Sequence, residues 1–230
     1  MNFFDFGARH YSPALTRWLT PDPLSEKYYG RSPYAYCNGD PVNLVDPNGK
    51  KVRLAKGSSK EFRSSYTKTV SHMRKMGVTK RLDQLYMSTK EYTIQETQFP
   101  DKSHFDSKTN TVYWDFKHAY RFANGLESSP TVTLIHELIH AARTDEASSN
   151  SEENQAMTER KNTEDKDYGD AEEKQVIEEE TEAARALEEL GPNQVARTDH
   201  KEATRLKYDY SQHDPEEVSE AIREHNKQFE

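Results

Sequence analysis

The string His136-Glu137-Leu138-Ile139-His140 lies inside an apolar run, residues 131–142, with Ser129-Pro130 just before it. Ser129 is a suitable N-cap, Pro130 suits the first helical position, and no breaker follows until beyond Arg143, so the run predicts a helix. At about 100° per residue, Val132, Leu134, Ile135, Leu138, Ile139 and Ala142 share one arc, His136 and His140 sit together at its border, and Glu137 lies beyond them. Such a helix is expected to pack by one side and to present its two histidines at the edge of a cleft.

Residues four apart lie on one helix face, so both imidazoles can reach one metal ion while Glu137 points at whatever that ion binds. This is the spacing of zinc hydrolases. A hydrolytic zinc takes three protein ligands and keeps one position for water. No third histidine follows closely, because residues 142–150 read ARTDEASSN, so a carboxylate from a later helix is expected. Residues 171–190 are the only long helical stretch near enough, closed by Gly191-Pro192. There Ile177, Ala183, Ala184, Leu187 and Leu190 cluster with Val176, and the acids well inside that arc are Glu180 and Glu173. Glu178, Glu182 and Glu189 are placed outward, Glu172 and Glu179 at the rim. A carboxylate on a buried stripe needs a cationic partner, which zinc would supply. Glu173 and Glu180 are therefore the two candidates for third ligand. Glu137 is the candidate catalytic base, and Arg197, His200, Tyr208 and Tyr210, in the segment after the ligand helix, are candidates to stabilise the transition state.

Composition narrows the function classes. Of 230 residues 33% are hydrophobic and 31% charged, so the core must be concentrated in some segments. A net charge of -8, with no Lys/Arg cluster interleaved with aromatics, argues against nucleic acid as partner. A single cysteine, Cys37, excludes an internal disulfide framework and every multi-cysteine zinc site. No basic-then-apolar leader opens the sequence and no run approaches the roughly 18 apolar residues of a membrane span, so membrane insertion is not expected.

Texture changes along the chain. Residues 1–49 carry short aromatic strings between turns at Ser12-Pro13, Pro21-Asp22-Pro23, Asn38-Gly39 and Pro47-Asn48-Gly49, which predicts short strands and loops. Residues 50–230 read as one α+β domain. Residues 51–55, 92–99 and 111–116 alternate like strands, and Phe62, Tyr66, Val70 and Met73 recur at helical spacing up to Gly77. The strand TVYWDF, 111–116, is expected to edge the cleft. Residues 144–170 are polar and are expected to form a mobile loop or insertion. A last helix is expected from Pro215, with Asp214 as N-cap and Glu217 completing a capping box.

In the N-terminal segment, residues 3–50, Gly7-Ala8-Arg9 with Tyr11, Arg17-Trp18-Leu19, Asp22-Pro23, Pro33-Tyr34-Ala35-Tyr36 and Asp46-Pro47-Asn48-Gly49 follow one another in order. In that order they resemble the closing segment of the Rhs repeat-associated core. Some members cut themselves near the terminal DPxG using aspartates. Here the first Asp-Pro reads DPLS without the paired glycine, so Asp22 and Asp46 are read as turn residues. The resemblance implies the tail of a polymorphic toxin, with the toxin following Lys50. The later HELIHAAR, the pair Glu172-Glu173 and the string from Glu180 to Gly191 with Arg185 and Arg197 resemble, more loosely, the NleD-like effector metalloproteases. In the register of that likeness Glu173 is the preferred third ligand, matching the Glu pair that opens the helix.

The two resemblances imply a small zincin-like domain, with a mixed or antiparallel sheet, the HExxH helix and a downstream Glu helix, acting as a zinc-dependent endopeptidase on proteins of a target cell. They also imply a cognate immunity protein and delivery by a specialised secretion system. Two other readings are a degenerate toxin fold that only binds an immunity protein, and a zinc hydrolase of a non-peptide substrate.

Overall fold

The computed structural model describes residues 52–97, 102–198, 203–206 and 209–229, with 4–5, 10–12, 15, 17–21 and 32–35 of the N-terminal segment. In that segment β1 (Phe4–Asp5), β2 (His10–Ser12) and β3 (Arg17–Trp18) pair antiparallel in sequence order, and Arg17 bridges to Ala35. These are short strands between turns, as the texture predicts. Asp22, Cys37 and Asp46 lie outside the described residues.

The next elements are β4 (Val52–Leu54), α1 (Lys60–Lys75), α2 (Lys80–Met87), β5 (Tyr92–Glu96), β6 (His104–Asp106) and β7 (Thr111–Trp114). The Ser59 hydroxyl starts α1 by accepting the Phe62 N–H at 3.0 Å, and Gly77, at φ +73°, ends it in a left-handed turn that only glycine takes without cost. The four strands form one mixed sheet in the order β4-β5-β7-β6, parallel except for β6. Alternation along β5 and β7 sends Tyr92, Ile94, Val112 and Trp114 into the core. The Trp114 indole donates to the Pro130 carbonyl at 2.7 Å, which fastens the sheet to the next helix. The strand TVYWDF is therefore interior and not the edge. The edges are β4 and β6, and the three residues HFD of β6 are too short and too polar to stand out as a strand in the sequence.

After β8 (Tyr120–Arg121) and β9 (Glu127–Ser128) comes α3 (Pro130–Ser149), which carries the HELIH string. Ser129 is its N-cap, accepting the Val132 N–H at 3.2 Å, and Pro130 is its first residue. The expectation of one-sided packing is wrong. Apart from the half-exposed His140, α3 is buried all round from Pro130 to Arg143, because β6, β7, β9, α2, α4 and α5 surround it. The loop expected over residues 144–170 is also absent. There α3 runs on to Ser149, and α4 (Ser151–Asn162), β10 (Glu164–Asp165) and β11 (Gly169–Asp170) follow. A helix with Met157 as its one buried residue gives no periodic signal, and an ion pair of Arg160 with Glu172 ties α4 to the residues after it.

The last elements are α5 (Ala171–Ala186), β12 (Thr204–Arg205), which completes a small sheet β12-β8-β9, and α6 (Pro215–Asn226). The architecture is α+β. No helix among the described residues is long and apolar enough to cross a membrane. On α6, Glu217 accepts the Asp214 N–H at 3.3 Å, the reach-back half of the capping box.

Helix α5 ends before Gly191-Pro192. Glu188 takes the left-handed conformation at φ +60°, and the Glu189 N–H returns to the Ala184 carbonyl. This reversal corrects the outward placement of Glu189, which is fully buried. Its carboxylate accepts the Ser219 hydroxyl at 2.7 Å and the Ser129 N–H at 3.2 Å. Burial raises its pKa above the usual carboxylate value, against the hydrogen bonds from Ser129 and Ser219.

The Asn226 side chain accepts the Glu127 N–H at 2.8 Å and donates to the carbonyls of Glu127 at 2.9 Å and Glu189 at 3.0 Å. Asn226→Ala would strand these three buried backbone groups and should cost about 3 kcal/mol or more of unfolding free energy, read by urea denaturation. The raised Glu189 carboxyl means that the folded state keeps its proton to higher pH than the unfolded chain does. Stability from this group is present below the unfolded pKa and is lost as pH rises through the folded one. Glu189→Gln has no such proton to lose, so its stability relative to the parent should rise between about pH 4 and about pH 8, measured by urea unfolding at both ends.

Candidate metal centre

One turn apart on α3, the His136 and His140 rings lie 4.7 Å between centroids and nearly perpendicular, at 78°, with their Nε2 atoms 3.1 Å apart. Helix α5 brings the third donor. The Asp170 side chain caps α5 by accepting the N–H of Glu173 itself at 2.8 Å, so the cap fixes the backbone of the residue whose carboxylate points at the histidines. Glu173 Oε2 is 3.1 Å from His140 Nε2, and Oε1 is 3.5 Å from His136 Nε2.

One nitrogen from each histidine and one Glu173 oxygen all lie within 4.8 Å of one another. Tetrahedral donors around a zinc ion, at about 2.0–2.2 Å from it, would stand about 3.3–3.6 Å apart. The 3.1 Å between the two Nε2 atoms, and the 3.1 and 3.5 Å from the two Glu173 oxygens to His140 and His136, lie near that edge. Two imidazoles and a carboxylate are also the donor types of hydrolytic zinc sites. The residues present therefore fit a divalent cation with one coordination position left open.

Electrostatics agree. Burial disfavours charge on His140, but the hydrogen bond with Glu173 and the nearby Glu137 and Glu173 carboxylates outweigh it and hold its pKa above the usual value. The pocket favours positive charge at that point. Glu137, next to His136 in sequence, is itself buried at 7% relative exposure.

Glu180 is brought to the same imidazole but to its other nitrogen. Its Oε2 is 3.0 Å from His136 Nδ1, and it is fully buried. Arg197 donates to it from Nε and Nη2, each at 3.1 Å. Burial works to raise the Glu180 pKa, yet the Arg197 guanidinium and His136 hold it below the usual carboxylate value. Of the two candidates the sequence left open, Glu173 reaches the nitrogens that His136 and His140 turn toward each other, while Glu180 sits behind His136. Among the transition-state candidates, Arg197 is engaged with Glu180, its guanidinium 4.8 Å over the Phe122 ring. Tyr210 packs in a separate cluster with Ala119, Val218 and Ile222. His200 and Tyr208 lie outside the described residues.

Comparisons with protein-family models, curated proteins and solved structures find no match for this chain.

Sequence reasoning missed the partner that sets the register of α5 against α3. Arg143, seven residues after His136, donates to Glu172 at 2.6 Å and to Glu179 at 2.9 Å. Arg160 adds a second contact to Glu172, and Arg81 meets Glu179 at 2.7 Å. Burial opposes the charge on both glutamates, but these arginines hold each pKa below the usual value. Two glutamate pairs seven residues apart thus face one partner each: 172 and 179 meet Arg143, and 173 and 180 meet His136. The repeat was a usable signal, since seven residues are about two helical turns.

Purified wild-type protein supplied with Zn2+ should hold one equivalent by elemental analysis after dialysis. Glu173→Ala and His140→Ala should each hold far less than one.

Proposed function

We propose that residues 50–230 form a zincin-like metallopeptidase, the toxin portion of a Rhs-type polymorphic toxin that cleaves proteins of a target cell. The observation that carries this reading is the convergence of His136, His140 and Glu173 with the buried Glu137 beside them on α3. The first three would hold zinc. When bound there, zinc supplies Lewis acidity, lowering the pKa of water toward about 7 and polarising a carbonyl group.

The chain's own residues would do the rest. Glu137 takes the proton from the attacking water, holds it on its carboxylate, and passes it to the leaving nitrogen as the amide C–N bond breaks. His136 and His140, held in place by the surrounding packing of α3, keep the donor set rigid through that exchange. The sheet supports a peptide as substrate. The edge strand β6 runs antiparallel to β7, packs on α3, and has no strand on its outer side among the described residues. An extended chain can add to such an edge through main-chain hydrogen bonds.

The resemblance of residues 3–50 to the Rhs core supports delivery as the end of a longer secreted protein, and a matching immunity protein as partner. Glu137→Gln tests the enzyme. It should keep one equivalent of zinc and lose roughly 10²- to 10⁴-fold of the cleavage rate, read by mapping new termini after incubation with a mixed proteome. A variant as active as the parent would sink the proposal, as would wild-type protein that holds zinc and creates no new termini.

A further inference from the structure

We infer that Glu180 and Arg197 form a positioning pair that sets the tautomer and orientation of His136, and thereby how tightly the centre holds its metal ion. This rests on the metal-centre reading above and adds a role that neither residue was expected to have.

The geometry is a bracket. Glu173 and Glu180 lie seven residues apart on α5, about 10 Å along the helix axis. The His136 ring stands between them, Nε2 toward Glu173 at 3.5 Å and Nδ1 toward Glu180 at 3.0 Å. An imidazole that binds metal through one nitrogen must carry its proton on the other. Glu180, as a carboxylate, can only accept, so it selects the Nδ1–H form and leaves the Nε2 lone pair facing His140 and Glu173.

Arg197 makes that choice stable. Glu180 is fully buried, and two hydrogen bonds from Arg197, at 3.1 Å each, fix the plane of its carboxylate with Oε2 toward His136 Nδ1. The guanidinium is held in turn over Phe122; its Nη2 also lies 3.2 Å from His136 Nδ1, and since both are donors in the Nδ1–H form, both N–H groups turn to Glu180 Oε2, 2.9 and 3.0 Å away. The chain Phe122, Arg197, Glu180, His136 thus fixes one ligand before any ion arrives.

The test compares wild type, Glu180→Gln, and the double variant Glu180→Gln/Arg197→Met. The double variant leaves no unpaired buried guanidinium, so it separates loss of positioning from loss of fold. Zn2+ affinity is measured by chelator competition, Co2+ uptake by its visible absorption, and the His136 tautomer by 15N imidazole shifts of the metal-free protein. Both variants should bind Zn2+ about 10- to 100-fold more weakly, with an altered Co2+ spectrum. The wild-type ring should show protonated Nδ1, and the variants a mixture of tautomers. Unchanged affinity and tautomer in a folded variant would overturn the inference while leaving the metal centre standing. Wild-type protein that took up neither ion would end the metal-centre reading, and this inference with it.

Discussion

Helix α3 is enclosed by protein over most of its length and still carries two histidines and an arginine in its buried part. Helix α5 answers these three with four glutamates. A buried charge whose partner is removed costs several kcal/mol, whereas a matched set is tolerated. Arg143 against Glu172 and Glu179, and His136 against Glu173 and Glu180, therefore decide how the two helices lie on each other. The apolar contacts of Val176 and Ala184 with the α3 side of the core give the adhesion, and the charges give the register.

This division of labour explains what could be read in advance. The cap at Ser129, the proline after it and the HELIH spacing are local signals, and they place α3 and both imidazoles correctly. Phe62, Val70 and Met73 mark α1, the alternation of Tyr92 and Ile94 marks β5, and Asp214 with Glu217 marks the start of α6, each from a few neighbouring residues. The inward stripe of α5 was legible too, with Glu173 and Glu180 both on it.

What escaped depends on contacts far apart in sequence. Which glutamate meets which nitrogen depends on Arg143 and Arg197, and nothing local tells that Arg143 will be buried. Helix α4 has no apolar stripe, so its composition resembles a loop until Arg160 meets Glu172. Strand β6 is three residues of His, Phe and Asp, and gains its identity only by pairing with β7. Glu189 sits on the outer face of an extrapolated helix, and turns inward because the helix stops at a glutamate rather than at the glycine three residues on.

That early stop joins two distant points. A residue just beyond α5 accepts the N–H of the residue just ahead of α3, 60 positions away, so the chain from Ser129 to Glu189 forms a closed circuit tied at its neck. Helices α3 and α5 would keep their spacing while the excursion between them varied, so long as Arg160 and the Asp170 cap stay in place, which makes the exposed turn at residues 166–167 of the β10-β11 hairpin the place where this fold best tolerates inserted sequence.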